Sequence, residues 1–142
     1  MKLVICEKPS VGAAVAAALG VTGKKDGYIE NDKYIISWCI GHLVQLSEAA
    51  AYGEQYKKWS YDSLPILPQE WQYTVAADKK AQFDTLKDLM HREDVSEVVN
   101  ACDAGREGEL IFRFVYDVAG CKKPMRRLWI SSMEESAIKA GF

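Results

Sequence analysis

Two acidic clusters in this sequence have the residue types and the setting that divalent-ion chemistry needs. The first is Glu7-Lys8, directly after the apolar run Leu3-Val4-Ile5-Cys6. The second is Asp103-Ala104-Gly105-Arg106-Glu107-Gly108-Glu109, directly after Val98-Val99-Asn100-Ala101-Cys102. Carboxylates brought together repel one another, and a cation relieves the repulsion. Oxygen-only ligands suit a hard ion, Mg²⁺ with Mn²⁺ as the alternative. Lys8 and Arg106 add positive charge suited to a phosphate. A helix opening near Glu107 would add backbone N–H donors. Taken singly, either acidic site also fits a plain helix-end role, because Asp and Glu are common near helix N-termini. Both together, each at a strand end with a basic neighbour, favour a site.

Such residues need elements that bring them together. Residues 2–6 and 97–102 read as short buried strands, and 127–131 as a third. Residues 10–19, rich in Ala with Gly20 beyond, read as a helix with a glycine cap. Residues 27–31 and 34–40 suit a hairpin turning at Asn31-Asp32. The spacing predicts helices over 43–50, over 79–91 with Asp78 as N-cap, and over 107–119. Ser132 with Glu135 reads as a capping box for a last short helix. Strands alternating with helices imply an α/β fold with a mostly parallel sheet flanked by helices. Ligands of such sheets bind beyond the carboxyl ends of the strands. Neighbouring parallel strands would therefore bring Glu7 and Asp103 to one crevice, and a tight turn through Gly105 would aim Glu107 there too.

The remaining features narrow the class. The 142 residues, 49% hydrophobic and 27% charged, suit one globular domain over 1–142. No apolar run is long enough to span a membrane, and the short first run is broken by Glu7-Lys8, so a cytoplasmic protein is expected. Cys6, Cys39, Cys102 and Cys121 form no C-x-x-C pair, which argues against a zinc ribbon and for reduced core thiols. A net charge of −2 gives no bulk electrostatic case for nucleic acid, so any contact with it is local. No G-x-x-x-x-G-K-[ST] string occurs, which excludes a phosphate loop of that type. Residues 51–72 lack a period but hold Tyr52, Tyr56, Trp59, Tyr61 and Trp71. Packing of these aromatics against the domain is the expectation, with base stacking as the alternative. No polar tail follows the last helix, which points to a piece of a longer chain.

Several motifs, in order, resemble the Toprim domain of type IA DNA topoisomerases, the topoisomerase III-like branch. They are V-I-C-E-K-P-S, Gly41-His42-Leu43, Trp59 with the Leu64–Pro68 run, A-C-D-A-G-R-E-G-E-L-I, and R-L-W-I-S-S at Arg127–Ser132. The resemblance covers nearly the whole chain and implies a Rossmann-like Toprim fold. It implies Mg²⁺-dependent cutting of one DNA strand by a tyrosine from a separate domain, strand passage, and religation. Glu7 matches the family's glutamate, implied to be metal ligand and proton donor to the leaving 3′-oxygen. Lys8 matches the lysine at the scissile phosphate. Asp103 and Glu107 match the first Asp and the Glu of D-x-D-x-E, and so join Glu7 as implied metal ligands. Arg106 and Glu109 match flanking positions, with Arg106 facing DNA. His42 matches a histidine near the site and is a DNA-contact candidate, with a structural hydrogen-bonding role equally open. The implied partners are single-stranded DNA and the remaining domains of the same chain, in a nucleoid-associated cytoplasmic enzyme.

One departure stands out: Gly105 occupies the position of the second motif Asp. Weaker ion binding, completed by waters, is expected. Tyr28, Tyr34, Tyr73 and Tyr116 lie on packing patterns, and the resemblance implies that the attacking tyrosine comes from a later domain, so the isolated chain should neither cleave nor relax DNA. Rival readings are a Toprim-type nuclease, disfavoured by the lost Asp, and a non-catalytic binding module.

Overall fold

The run Leu3-Val4-Ile5-Cys6 has no polar alternation because it is buried on both faces, as the central strand of a parallel sheet must be. A computed structural model describes all residues 1–142. The chain order is β1 (Lys2–Cys6), α1 (Pro9–Leu19), β2 (Gly23–Lys25), β3 (Tyr28–Glu30), β4 (Tyr34–Trp38) and β5 (Val44–Leu46). It continues with β6 (Tyr73–Val75), α2 (Lys80–His91), β7 (Glu97–Ala101), α3 (Arg106–Val118), β8 (Met125–Arg127) and α4 (Glu135–Gly141). The main sheet runs β2-β3-β4-β1-β7-β8. Its β4-β1-β7-β8 part is parallel, and β2-β3-β4 is an antiparallel meander. The expected α/β fold with a mostly parallel sheet is therefore present.

Successive strand residues point to opposite faces, and each face has its own core. Leu3, Ile5, Ile35 and Val98 pack with Phe83, Leu86 and Met90 of α2 and Phe112 and Val115 of α3. Val4, Cys6, Ile36 and Val99 pack with Val11 and Val15 of α1 and Ile138 of α4. Helices thus cover both faces. Gly20 ends α1 at φ 67°, and Val21 N–H closes the cap on Ala16 O at 2.8 Å. Asn31 Oδ1 accepts from the backbone of Lys33 (2.9 Å) and Tyr34 (2.8 Å), which makes the hairpin turn. All four cysteines are free and buried, as expected.

Several expectations fail in detail. Residues 43–50 are not a helix: β5 pairs antiparallel with β6, and a short 3-10 turn follows at Ala49–Tyr52. The last strand is Met125–Arg127 rather than 127–131, because its register on β7 sets Met125 opposite Val98 and Arg127 opposite Asn100. Asp78 does not cap α2; it sits in a 3-10 turn, and Lys79 precedes the helix without a side-chain cap. Ser132 makes no capping box either: its Oγ accepts from Glu134 N–H at 3.2 Å, and Glu134 is the N-cap of α4, with no side-chain cap. The aromatics of 51–72 pack on one another more than on the core. Tyr52 meets Trp71 edge-on at 6.4 Å. Trp59 and Tyr61 stay largely exposed.

Candidate metal and phosphate site

The register of β1 on β7 sets Cys6 opposite Ala101, so both acidic segments leave the sheet side by side. Glu7 Oε2 accepts from the Asp103 backbone N–H at 3.3 Å. Lys8 is exposed, and its carbonyl starts α1 by accepting from Val11 and Gly12 N–H, each at 3.1 Å. On the other side of β1, Gly41 N–H donates to Glu7 O at 3.3 Å. Gly41 itself turns in the left-handed region at φ 62°. That turn delivers His42, whose Nε2 lies 3.0 Å from Glu107 Oε2. Lys79 Nζ holds the His42 carbonyl at 3.3 Å. Glu7, His42, Asp103 and Glu107 therefore gather at the carboxyl ends of three adjacent strands, β4, β1 and β7.

Within that crevice the carboxylates are not equivalent. Glu7 and Asp103 are neighbours, whereas Glu107 is engaged by His42. No group of three His, Cys, Asp or Glu side chains stands close enough to hold a metal ion as the side chains lie. The donor chemistry still suits a hard ion: oxygen ligands at an exposed rim, where water completes a coordination shell. Glu7 and Asp103 would hold such an ion, with Glu107 able to join by leaving His42. Arg106 opens α3 and is exposed.

The turn carrying Asp103 is fastened by residues to which sequence reasoning gave no role. Asn100 is fully buried near the carboxyl end of β7. Its Oδ1 accepts from Cys102 N–H and from Arg127 Nη1, each at 3.1 Å, and its Nδ2 donates to Glu109 Oε2 at 2.9 Å. Arg127 Nη1 also donates to Cys102 O, and Nη2 to Asp103 O, each at 2.6 Å. Arg127 Nε approaches Glu109 Oε2 at 3.3 Å, but without the alignment of a hydrogen bond. Glu109 additionally accepts from Arg113 Nε at 2.8 Å. Glu109 is thus a clamp for Asn100, Arg113 and Arg127. A lone Asn inside Val-Val-Asn-Ala-Cys was the available signal, because a buried polar group needs partners.

Gly108 completes the arrangement. A Cβ there would lie 2.2 Å from Asp103 O and 2.8 Å from Asp103 N. Only glycine lets α3 rest on the turn. At Gly105 the backbone is extended and a Cβ would meet open space. Gly105 is thus not required by conformation. Below the site, burial first, then the nearby Cys102 and Asp103, push the Cys6 thiol well above its ordinary range. A thiol hydrogen bond with Cys39, and then burial, do the same for Cys102. These thiols are neutral core groups and not nucleophiles.

The sequence matches the Toprim domain family over residues 2–133. The chain belongs to the Toprim family. This Toprim chain is 48% identical over 141 residues to a DNA topoisomerase 3 of Shouchella clausii, covering 99% of the chain and 19% of that protein. It is 46% identical over 140 residues to the DNA topoisomerase 3 of Staphylococcus haemolyticus, covering 99% of the chain and 20% of the relative. The Toprim chain therefore spans about a fifth of the length of these relatives. Full-length topoisomerase I from Thermotoga maritima has the same fold over 98% of the chain and 20% of its own length, at TM-score 0.61 and 18% identity. No helix is long and apolar enough to cross a membrane.

Proposed function

We propose that this chain is the N-terminal Toprim domain, residues 1–142, of a cytoplasmic type IA DNA topoisomerase. The observation that carries the reading is the adjacency of Glu7 and Asp103 at paired strand ends, with Lys8 following Glu7 in sequence and Arg106 opening the helix after Asp103. The names of the relatives support the substrate, DNA. In the reaction a tyrosine from a later domain attacks a phosphodiester of one strand. Its hydroxyl releases its proton to solvent as its oxygen bonds to phosphorus, the bond to the 3′-oxygen breaks, and Glu7 donates a proton to that leaving oxygen. Lys8 and Arg106 hold the phosphate and stabilise its developing charge. The phosphotyrosine bond conserves the energy of the broken link, and religation reverses each step without ATP. Mg²⁺, when held by Glu7 and Asp103, supplies further positive charge beside the phosphate. His42 orients Glu107 through the 3.0 Å contact and limits its motion toward the ion.

The test is a plasmid relaxation assay on the full-length protein. Glu7→Gln and Asp103→Asn should each lose most relaxation activity while retaining wild-type unfolding. Unchanged relaxation by either variant would refute the assignment. The 142-residue chain alone should leave supercoiled plasmid intact in Mg²⁺. Nicked or linear product from it would favour a Toprim-type nuclease.

A further inference from the structure

A cleft beside Asp103 holds a side chain that the proposed chemistry leaves unused. The cleft measures about 460 Å³ and is lined by Asp103, Ala104, Trp129, Ile130, Ser131 and Ser132 among others. That is the range of small-ligand sites and gives room for a nucleoside. Trp129 is 67% exposed, although it follows Leu128, which is buried. Its ring is not free to drift. The Arg127 guanidinium lies 5.2 Å from the ring centroid. That guanidinium is itself tied to the carbonyls of Cys102 and Asp103. The indole therefore stands on a fixed cation, anchored to the backbone that carries the acidic site. A guanidinium–indole contact of this kind favours this ring position over others.

A rigid exposed indole next to a phosphate-binding rim has the properties of a stacking platform. Unpaired bases stack on such rings, and every base offers a π-face, so the contact is indifferent to sequence. Paired bases are already stacked and cannot use it. Ser131 and Ser132 hydroxyls in the same cleft suit the sugar and phosphate of that nucleotide. We propose that Trp129 stacks one unpaired nucleobase of a single-stranded nucleic acid, next to the phosphate drawn by Lys8 and Arg106. The proposal rests on the reading of Glu7, Lys8 and Asp103 as the phosphate end of a DNA site.

The experiment measures binding of the 142-residue chain to two probes at low salt: an oligothymidylate and an abasic oligomer of equal length. Trp129→Ala should weaken oligothymidylate binding about 5- to 150-fold, the range that loss of one stacked base implies. It should leave abasic binding unchanged. Trp129→Phe should keep most of the affinity, and Trp59→Ala all of it. Oligothymidylate should quench the fluorescence of the wild-type chain, and Trp129→Phe should lack that quenching. Equal affinity of Trp129→Ala and wild type for oligothymidylate overturns the proposal, as does an equal loss for both probes. Should Trp129→Ala fail to fold, the quenching comparison decides: equal quenching of Trp129→Phe and wild type overturns the platform. Lys8→Ala separates the two layers. If it weakens both probes while Trp129→Ala weakens neither, the phosphate reading stands and stacking falls. If the wild-type chain binds neither probe, both fall.

Discussion

Replacing Gly108 by Ala tests how the sequence positions Asp103. In an unhindered helix interior this change stabilises by about 1 kcal/mol, because Ala is the better helix former. Here the new Cβ would lie 2.2 Å from Asp103 O, about 1 Å short of ordinary contact. The obstacle is backbone, so no side-chain rotation relieves it. Asp103 O also accepts from Arg127 Nη2 at 2.6 Å and from Gly105 N–H at 2.8 Å, so it cannot move without loosening both bonds. Overpacking of this sort costs about 1–3 kcal/mol. Weakening a charge-assisted hydrogen bond costs about 1.5–3 kcal/mol more if the bond is lost. With the Arg127 bond lost, the clash outweighs the helix gain, and a net loss of about 1.5–5 kcal/mol is expected. Urea unfolding measures it, with Gly105→Ala as the neutral control, since a Cβ at 105 meets nothing. Stabilisation of Gly108→Ala by about 1 kcal/mol would show that α3 does not rest on the turn as described.

Other perturbations report on other parts. Arg127→Met removes the donors to Cys102 O and Asp103 O and leaves Glu109 short of a partner, so a loss of about 2–4 kcal/mol in urea is expected; a loss below about 0.5 would deny the clamp. Gly105→Asp places a carboxylate in open space at the N-cap of α3. It should keep or slightly raise stability and raise Mn²⁺ affinity about tenfold in a calorimetric titration; unchanged affinity would place position 105 outside the ion's reach. The Lys2 and Arg126 side chains hold the Glu97 carboxyl below the usual glutamate range. A depressed carboxyl stabilises the fold above its unfolded pKa and loses that contribution as pH falls through its folded pKa. Glu97→Gln should therefore be less stable than wild type at neutral pH, and the two should converge in acid; a gap that persists there would contradict the pairing. The buried thiols of Cys6, Cys39 and Cys102 should resist a thiol reagent at neutral pH until denaturant is added, and rapid native labelling would contradict their burial.

The sequence disclosed what local chemistry controls and hid what distant pairing controls. β1 and β7 were legible because runs buried on both faces are mostly apolar, Asn100 being the exception in β7. The Asn31 turn and the Gly20 cap were legible because a single side chain or φ value makes each. Residues 43–50 looked helical from their own composition, yet Val44 pairs with Val75, a partner that no local pattern reveals. β2, Gly-Lys-Lys, is exposed and carries no apolar alternation to read. Trp129 and Ile130 drew the last strand too far, because their apolar character serves the rim rather than the sheet. At the site, the Glu7–Asp103 adjacency followed from strand ends alone. The His42–Glu107 contact and the Arg127 clamp depend on side-chain directions set by tertiary packing.

The most direct measurement is the paramagnetic titration of the chain with Mn²⁺, wild type against Glu7→Gln and Asp103→Asn. One weak site in the wild type, lost in both variants at unchanged thermal stability, is the expected result. Binding of equal strength in all three proteins would contradict an ion held between the ends of β1 and β7.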